Sequence, residues 1–265
     1  MLSKWRQWRA ARFDARHPFP QAEWQRACKR LPLLAALNDD ERQRLGQRTW
    51  RLLHRKRLTL PDGLEFDLSD RLSLLAQAGL LTLGWSEADA EEAFAGIHEI
   101  VVLPDAFRRR VEEMDEAGVM HEYTDERVGE TWHQGPVVLS LADVRDSGDW
   151  TGFNVIIHEL SHKLDMDNSL DADGFPPLSS DIAGREWYQT FMAVWNDLQA
   201  HLERGEPTPI DDYAATHPGE CFAVCCELFF SAPDVLNEAY PALYALLRRY
   251  FRQDPLTRMR AYQSA

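Results

Sequence analysis

Asn154-Val-Ile-Ile-His158-Glu159-Leu-Ser-His162-Lys-Leu-Asp165 carries the pattern H-E-x-x-H, preceded by an apolar run suited to a buried helix. Four residues advance a helix by a little over one turn, so His158 and His162 project from the same face. Two imidazoles placed in this way can bind one zinc ion at about 2.0–2.1 Å each. Glu159 stands beside the first of them, where its carboxylate can take a proton from an attacking water and return it to a leaving amine. The alternative is an ordinary helix with two satisfied histidines. Val155-Ile-Ile157 make the first turn apolar, however, and a buried histidine pair without metal leaves ring nitrogens in need of partners. The pattern predicts a metal site.

A zinc peptidase needs a third protein ligand. The metzincin signature H-E-x-x-H-x-x-G-x-x-H is not met, because Asp165 stands at the glycine position and Asn168 at the last ligand position. The gluzincin-like alternative is a downstream glutamate on a second helix, for which Glu186, Glu220 and Glu227 are candidates. Glu186 opens a segment whose Trp187, Phe191 and Trp195 read as packing residues. Glu220 enters a segment beside Cys221, Phe222, Ala223 and Val224, and a carboxylate in so apolar a stretch should be paired or metal-bound. Glu220 is therefore the preferred ligand. Glu227 lies two turns further along the same face, suited to supporting a ligand or to a structural ion pair. Asp165, one turn beyond His162, either orients a ligand imidazole through its free N–H or is an ordinary acid at a helix C-terminus.

Outward from this helix, Gly135-Pro-Val-Val-Leu-Ser-Leu141 reads as a strand opened by a turn pair, and Ile97-His-Glu-Ile-Val-Val-Leu103 as another closed by Pro104. Residues 119–128 read as a further strand. Two roles are open to the strand before the metal helix. It is either an edge that holds peptide substrate by main-chain pairing along Val137, Val138, Leu139 and Ser140, or a buried central strand with no substrate role. Trp132 and His133 are placed to border the cleft. Helical spacing covers residues 22–57, 69–83, 151–164, 183–203, 218–231 and 234–252, and Asn38-Asp-Asp-Glu41 reads as an N-cap. Helices first, a few strands next and helices last predict an α+β fold. A mainly helical N-terminal region, residues 1–85, would then precede a zincin-like catalytic domain, residues 86–265, in which a small sheet is followed by helices.

Composition narrows the class. The 265 residues are 45% hydrophobic and 27% charged, which excludes a disordered chain, a collagen-like repeat and a disulfide-stapled miniprotein. No apolar run approaches the roughly 18 residues of a membrane span, so no membrane partner is expected. The net charge is −14, but residues 1–60 carry +10 and the remainder −24. An acidic body argues against direct nucleic-acid binding, because phosphate repels it. The basic N-terminal stretch either neutralises that body or meets an anionic partner. Cys28, Cys221, Cys225 and Cys226 suggest no disulfide framework, and the first residues lack the apolar core of a secretory signal. The expected location is the cytoplasm. Cys221 and Cys225 read as packing, and the Asp-rich stretch 165–181 does not match an EF-hand loop and reads as solvated.

Five motifs, in order, resemble the Mlc titration factor A family: His158-Glu-x-x-His162-Lys-Leu-Asp-Met, Trp132 followed by Gly135-Pro-Val-Val-Leu-Ser, Tyr213-x6-Glu220-Cys-Phe-Ala-Val, Phe229-Phe-Ser-Ala-Pro and Gln253-Asp-Pro255. The likeness spans at least residues 95–260 and is weaker over the first 60. Proteins of that family are bacterial cytoplasmic zinc peptidases that also bind the glucose-regulatory repressor Mlc, with a catalytic core similar to that of anthrax lethal factor. The resemblance implies one zinc ion held by His158, His162 and Glu220, with Glu159 as general base. It also implies that Tyr213 stabilises the oxyanion, as a phenol donor aimed at developing charge can. The expected partners are a peptide substrate and the Mlc-type repressor. Aminopeptidase and endopeptidase action both stay open. The competing function is a non-catalytic protein that sequesters a transcriptional repressor, to which an acidic body would attract a basic DNA-binding surface.

Overall fold

The computed structural model describes residue 8 and residues 11–104, 107–114, 120–127, 129–131 and 135–264. Trp132 and His133 lie outside the described residues. The N-terminal part is helical: α1 (Gln21–Arg30), α2 (Pro32–Ala35), α3 (Asp39–Arg55), α4 (Leu68–Leu81) and α5 (Glu87–Ala93). Asn38 caps α3 through a capping box, its side chain accepting from Glu41 N at 2.9 Å while Glu41 reaches back to Asn38 N at 3.1 Å. Asp67 and Asp70 do the same for α4. The helical reading of residues 22–57 runs two residues too far, because Arg57–Thr59 form strand β1. Three residues are too few to show a period of two.

The strands β2 (Glu99–Leu103), β3 (Phe107–Met114), β4 (Met120–Arg127), β5 (Gly129–Thr131) and β6 (Val137–Ser140) follow. One sheet has the order β1-β2-β6-β5, with β1, β2 and β6 parallel and β5 antiparallel to β6. Among the described residues, strands β3 and β4 pair antiparallel with each other alone.

Helices complete the chain: α6 (Leu141–Asp146), α7 (Val155–Asp165), α8 (Gly184–Arg204), a 3₁₀ turn at Asp212–Ala215, α9 (Pro218–Ser231), α10 (Pro233–Ala239), α11 (Pro241–Phe251) and α12 (Pro255–Gln263). The segment read as one helix over 234–252 is two. Pro241 has no N–H to donate and turns Tyr240 away from helical geometry, to φ −137° and ψ 70°. The fold is α+β. One continuous apolar core runs from Trp24 and Leu34 through Leu72 and Leu75 of α4, Val102 of β2, Leu139 of β6 and Ile156 of α7 to Phe229 and Phe251. The N-terminal helices share this core with the rest of the chain, and Trp85 donates its indole N–H to Tyr250 O at 2.8 Å. All four cysteines are buried and unpaired. Among the described residues, no helix is long and apolar enough to cross a membrane.

Candidate metal centre

Helix α7 begins one residue after Asn154, whose side-chain oxygen accepts from Ile157 N at 3.0 Å. That cap explains why the helix starts at Val155 rather than at residue 151: Asn is a good N-cap and a poor interior residue. Val155, Ile156, Ile157, Leu160 and Leu164 anchor α7 in the core, and the helix packs against α9. Helix α9 opens with Pro218 at its first position and puts Glu220 in its first turn, where the helix dipole favours a carboxylate.

The packing of these two helices brings His158, His162 and Glu220 together. Glu220 Oε2 lies 3.1 Å from His158 Nε2 and 3.3 Å from His162 Nε2. The three candidate ligand atoms all fall within 4.8 Å of one another, the one such group of three among the described residues. Ligand atoms about 2.0–2.1 Å from a tetrahedral ion are about 3.3 Å apart, so the spacing fits a single metal. Two imidazoles and a carboxylate are also a donor set used by hydrolytic zinc sites.

The electrostatics suit a cation. Burial works against a charged His158, yet its hydrogen bonds to Glu220 and Glu227 outweigh that and push it up to about 10. Burial works against a charged Glu220 too, and the two histidines hold its carboxyl far below the usual range. Behind His158, the carboxylate of Glu227 accepts from Nδ1–H at 3.2 Å, which leaves Nε2 turned to Glu220.

Glu159 is 4% exposed, next in sequence to His158. Lys163 follows one turn later, and its ammonium donates to Gly135 O at 3.1 Å, tying α7 to the loop that enters β6. Burial brings Lys163 down to about 8, against the opposing pull of Glu159. Tyr213, 45% exposed on the 3₁₀ turn, holds its ring 6.2 Å from that of His158.

The structure distinguishes the alternatives that the sequence leaves open for β6 and for Asp165. Strand β6 is paired along both edges, Val137–Leu139 matching Ile100–Val102 on one side and Thr131–Gly129 on the other. It is therefore the buried central strand, with no free main-chain groups along Val137, Val138 and Leu139 for a peptide. Ser140 ends β6 and caps α6, its hydroxyl accepting from Asp143 N. Asp165, placed as a possible imidazole partner, instead accepts from Gly174 N at 2.8 Å. Its other oxygen and His162 Nδ1 are both buried and form no hydrogen bond among the described residues. Glu186, in the first turn of α8, pairs with Arg249 at 2.5 Å.

The sequence pattern of the glucose-regulated metallo-peptidase M90 family matches residues 5–252. Mlc titration factor A of Edwardsiella ictaluri (strain 93-146) is 43% identical over 246 residues, 91% of this chain and 90% of that protein. Mlc titration factor A of Yersinia pestis (strain Pestoides F) is 37% identical over 255 residues, 93% of this chain and 91% of that protein.

Proposed function

The chain belongs to the glucose-regulated metallo-peptidase M90 family, and from that premise we propose that it is a zinc-dependent peptidase that also binds an Mlc-type glucose repressor. The convergence of His158, His162 and Glu220 on one point carries the reading. When bound there, zinc supplies a Lewis acid that makes water more acidic and polarises the scissile carbonyl. Glu159 takes the proton of the attacking water and delivers it to the leaving amine. Tyr213 donates its phenol hydrogen to the carbonyl oxygen as negative charge develops. Glu227 keeps a proton on His158 Nδ1 and so reserves Nε2 for the metal. With β6 closed on both sides, a peptide would pair with β5, which ends the sheet among the described residues. The unpaired cysteines support a cytoplasmic location.

Repressor binding rests on the relatives' name together with the acidic charge of the chain beyond residue 60, which would draw in a basic DNA-binding protein. One preparation tests both parts. Glu159→Gln should keep the zinc content of the wild type and lose chelator-sensitive peptide hydrolysis by about 10²–10⁴-fold. Retained hydrolysis would overturn the general-base assignment. Used as bait at moderate salt, the same protein should capture an Mlc-type repressor, and no capture would remove that half of the reading.

A further inference from the structure

The metal helix is anchored at its N-terminus to a residue from far earlier in the chain. Gln77 lies in the middle of α4, 2% exposed and flanked by Leu74, Leu75, Ala76 and Ala78. A lone amide in such a place needs a partner. Its Oε1 accepts from Asn154 Nδ2 at 2.7 Å. Gly148 makes room for it: at φ +109°, a Cβ there would come within 3.3 Å of Gln77 Oε1 and 2.5 Å of Leu31. Asn154 is fully buried and uses its other polar groups as well. Its side-chain oxygen caps Ile157, and its backbone N–H donates to Glu227 Oε1. Glu227 in turn holds His158 Nδ1 with its second oxygen.

We propose that Gln77 and Asn154 are positioning residues of the metal centre. They lock a buried chain, Gln77 to Asn154 to Glu227 to His158, that aims one imidazole and lets the N-terminal helical layer set metal affinity. This rests on the zinc site proposed above. The physical reason is that Glu227 can orient His158 only if its own carboxylate is held. Its donor is the backbone N–H of Asn154, the residue that leads into α7. With Asn154 Nδ2 fixed by Gln77, that N–H has one direction. Without Gln77, the Asn154 side chain is held by its bond to Ile157 N–H alone, and the cap, the N–H and Glu227 loosen together.

Zinc affinity of the metal-free protein, measured by competition with a chelating dye, tests this without recourse to turnover. Gln77→Met keeps the volume and removes the acceptor, and zinc binding should weaken about tenfold, as for loss of a group that orients a ligand. In a Glu227→Gln background the same substitution should change affinity far less, because the chain is already broken. Asn154→Asp serves as the second variant. It retains a capping oxygen and loses the donor to Gln77, and should weaken zinc binding although its added charge would attract a cation. Unchanged zinc affinity in folded Gln77→Met and Asn154→Asp overturns the proposal, as does an undiminished effect of Gln77→Met beside Glu227→Gln. His162→Ala separates the two levels: if it binds zinc as tightly as the wild type, the site itself has been misassigned, and the positioning chain falls with it.

Discussion

Helices α8 and α9 both carry glutamates, and they use them in opposite ways. From Cys221 to Ser231 every residue of α9 is buried, so nothing on that helix can be charged at little cost. Glu220 and Glu227 are both turned onto His158. Helix α8 fully buries only Trp187, Phe191, Val194 and Leu198, a single stripe at helical spacing flanked by half-buried Met192 and Trp195, and carries exposed residues on its remaining face. Its Glu186 sits on the wet side with Arg249, both side chains more than two-fifths exposed. The same residue type, read in the two settings, means chemistry in one and solvation in the other. A carboxylate is informative where its helix has no polar face to accommodate it.

That contrast can be broken by substitutions of graded size. The largest effect should come from Glu220→Gln, which removes a candidate ligand. Zinc affinity should fall by more than the ~100-fold that loss of a merely supporting partner can cost, and retention of tight binding would mean that buried glutamates on α9 are only structural. Next comes Asp165, fully buried at the end of α7, whose carboxyl is raised to about 7 chiefly by that burial. A raised carboxyl disfavours the ionised folded state, so this cost is absent below about pH 4, grows as the pH rises towards 7 and stays constant above it. Asp165→Asn keeps an acceptor for Gly174 N–H and should stabilise the protein above pH 7 by on the order of 4 kcal/mol. Thermal unfolding at pH 4 and pH 8 checks it: a gain equal at both would show that ionisation is not the cause. The smallest effect belongs to Glu186→Gln, which should leave zinc content unchanged and barely move the unfolding midpoint, since exposed ion pairs contribute little.

The same contrast explains what could be read from the residues alone. His158 and His162 were legible because helix periodicity is local, and Glu220 because its neighbours are apolar within the same turn. The Asn38 cap was legible for the same reason. The place of β6 in the sheet was not, since it depends on β5 and β2 lying on either side, and strand order is a long-range fact. Nor could spacing decide where Asp165 would turn, because its partner is a backbone N–H in the loop that follows. Pro241 is itself a local stop signal: the helical spacing of 234–252 continues across it, yet proline disfavours a helical residue before it. Asn154 announced itself only as a polar residue ahead of an apolar turn, which marks an N-cap. Its link to Gln77 crosses 77 positions and leaves no local trace.

The separation of the two helices along the chain has a consequence for biosynthesis. Glu220 stands 62 positions beyond His158, and Glu227 stands 69 beyond it. At about 5–20 residues per second, α7 leaves the ribosome several seconds before α9 does. During that interval the nascent chain displays two histidines with no carboxylate to complete the set and none to orient them. A product stalled or cut before Pro218 stays in that condition for good. The complete His158, His162 and Glu220 donor set would thus be one of the last features the newborn protein acquires, and its unfinished copies would lack it.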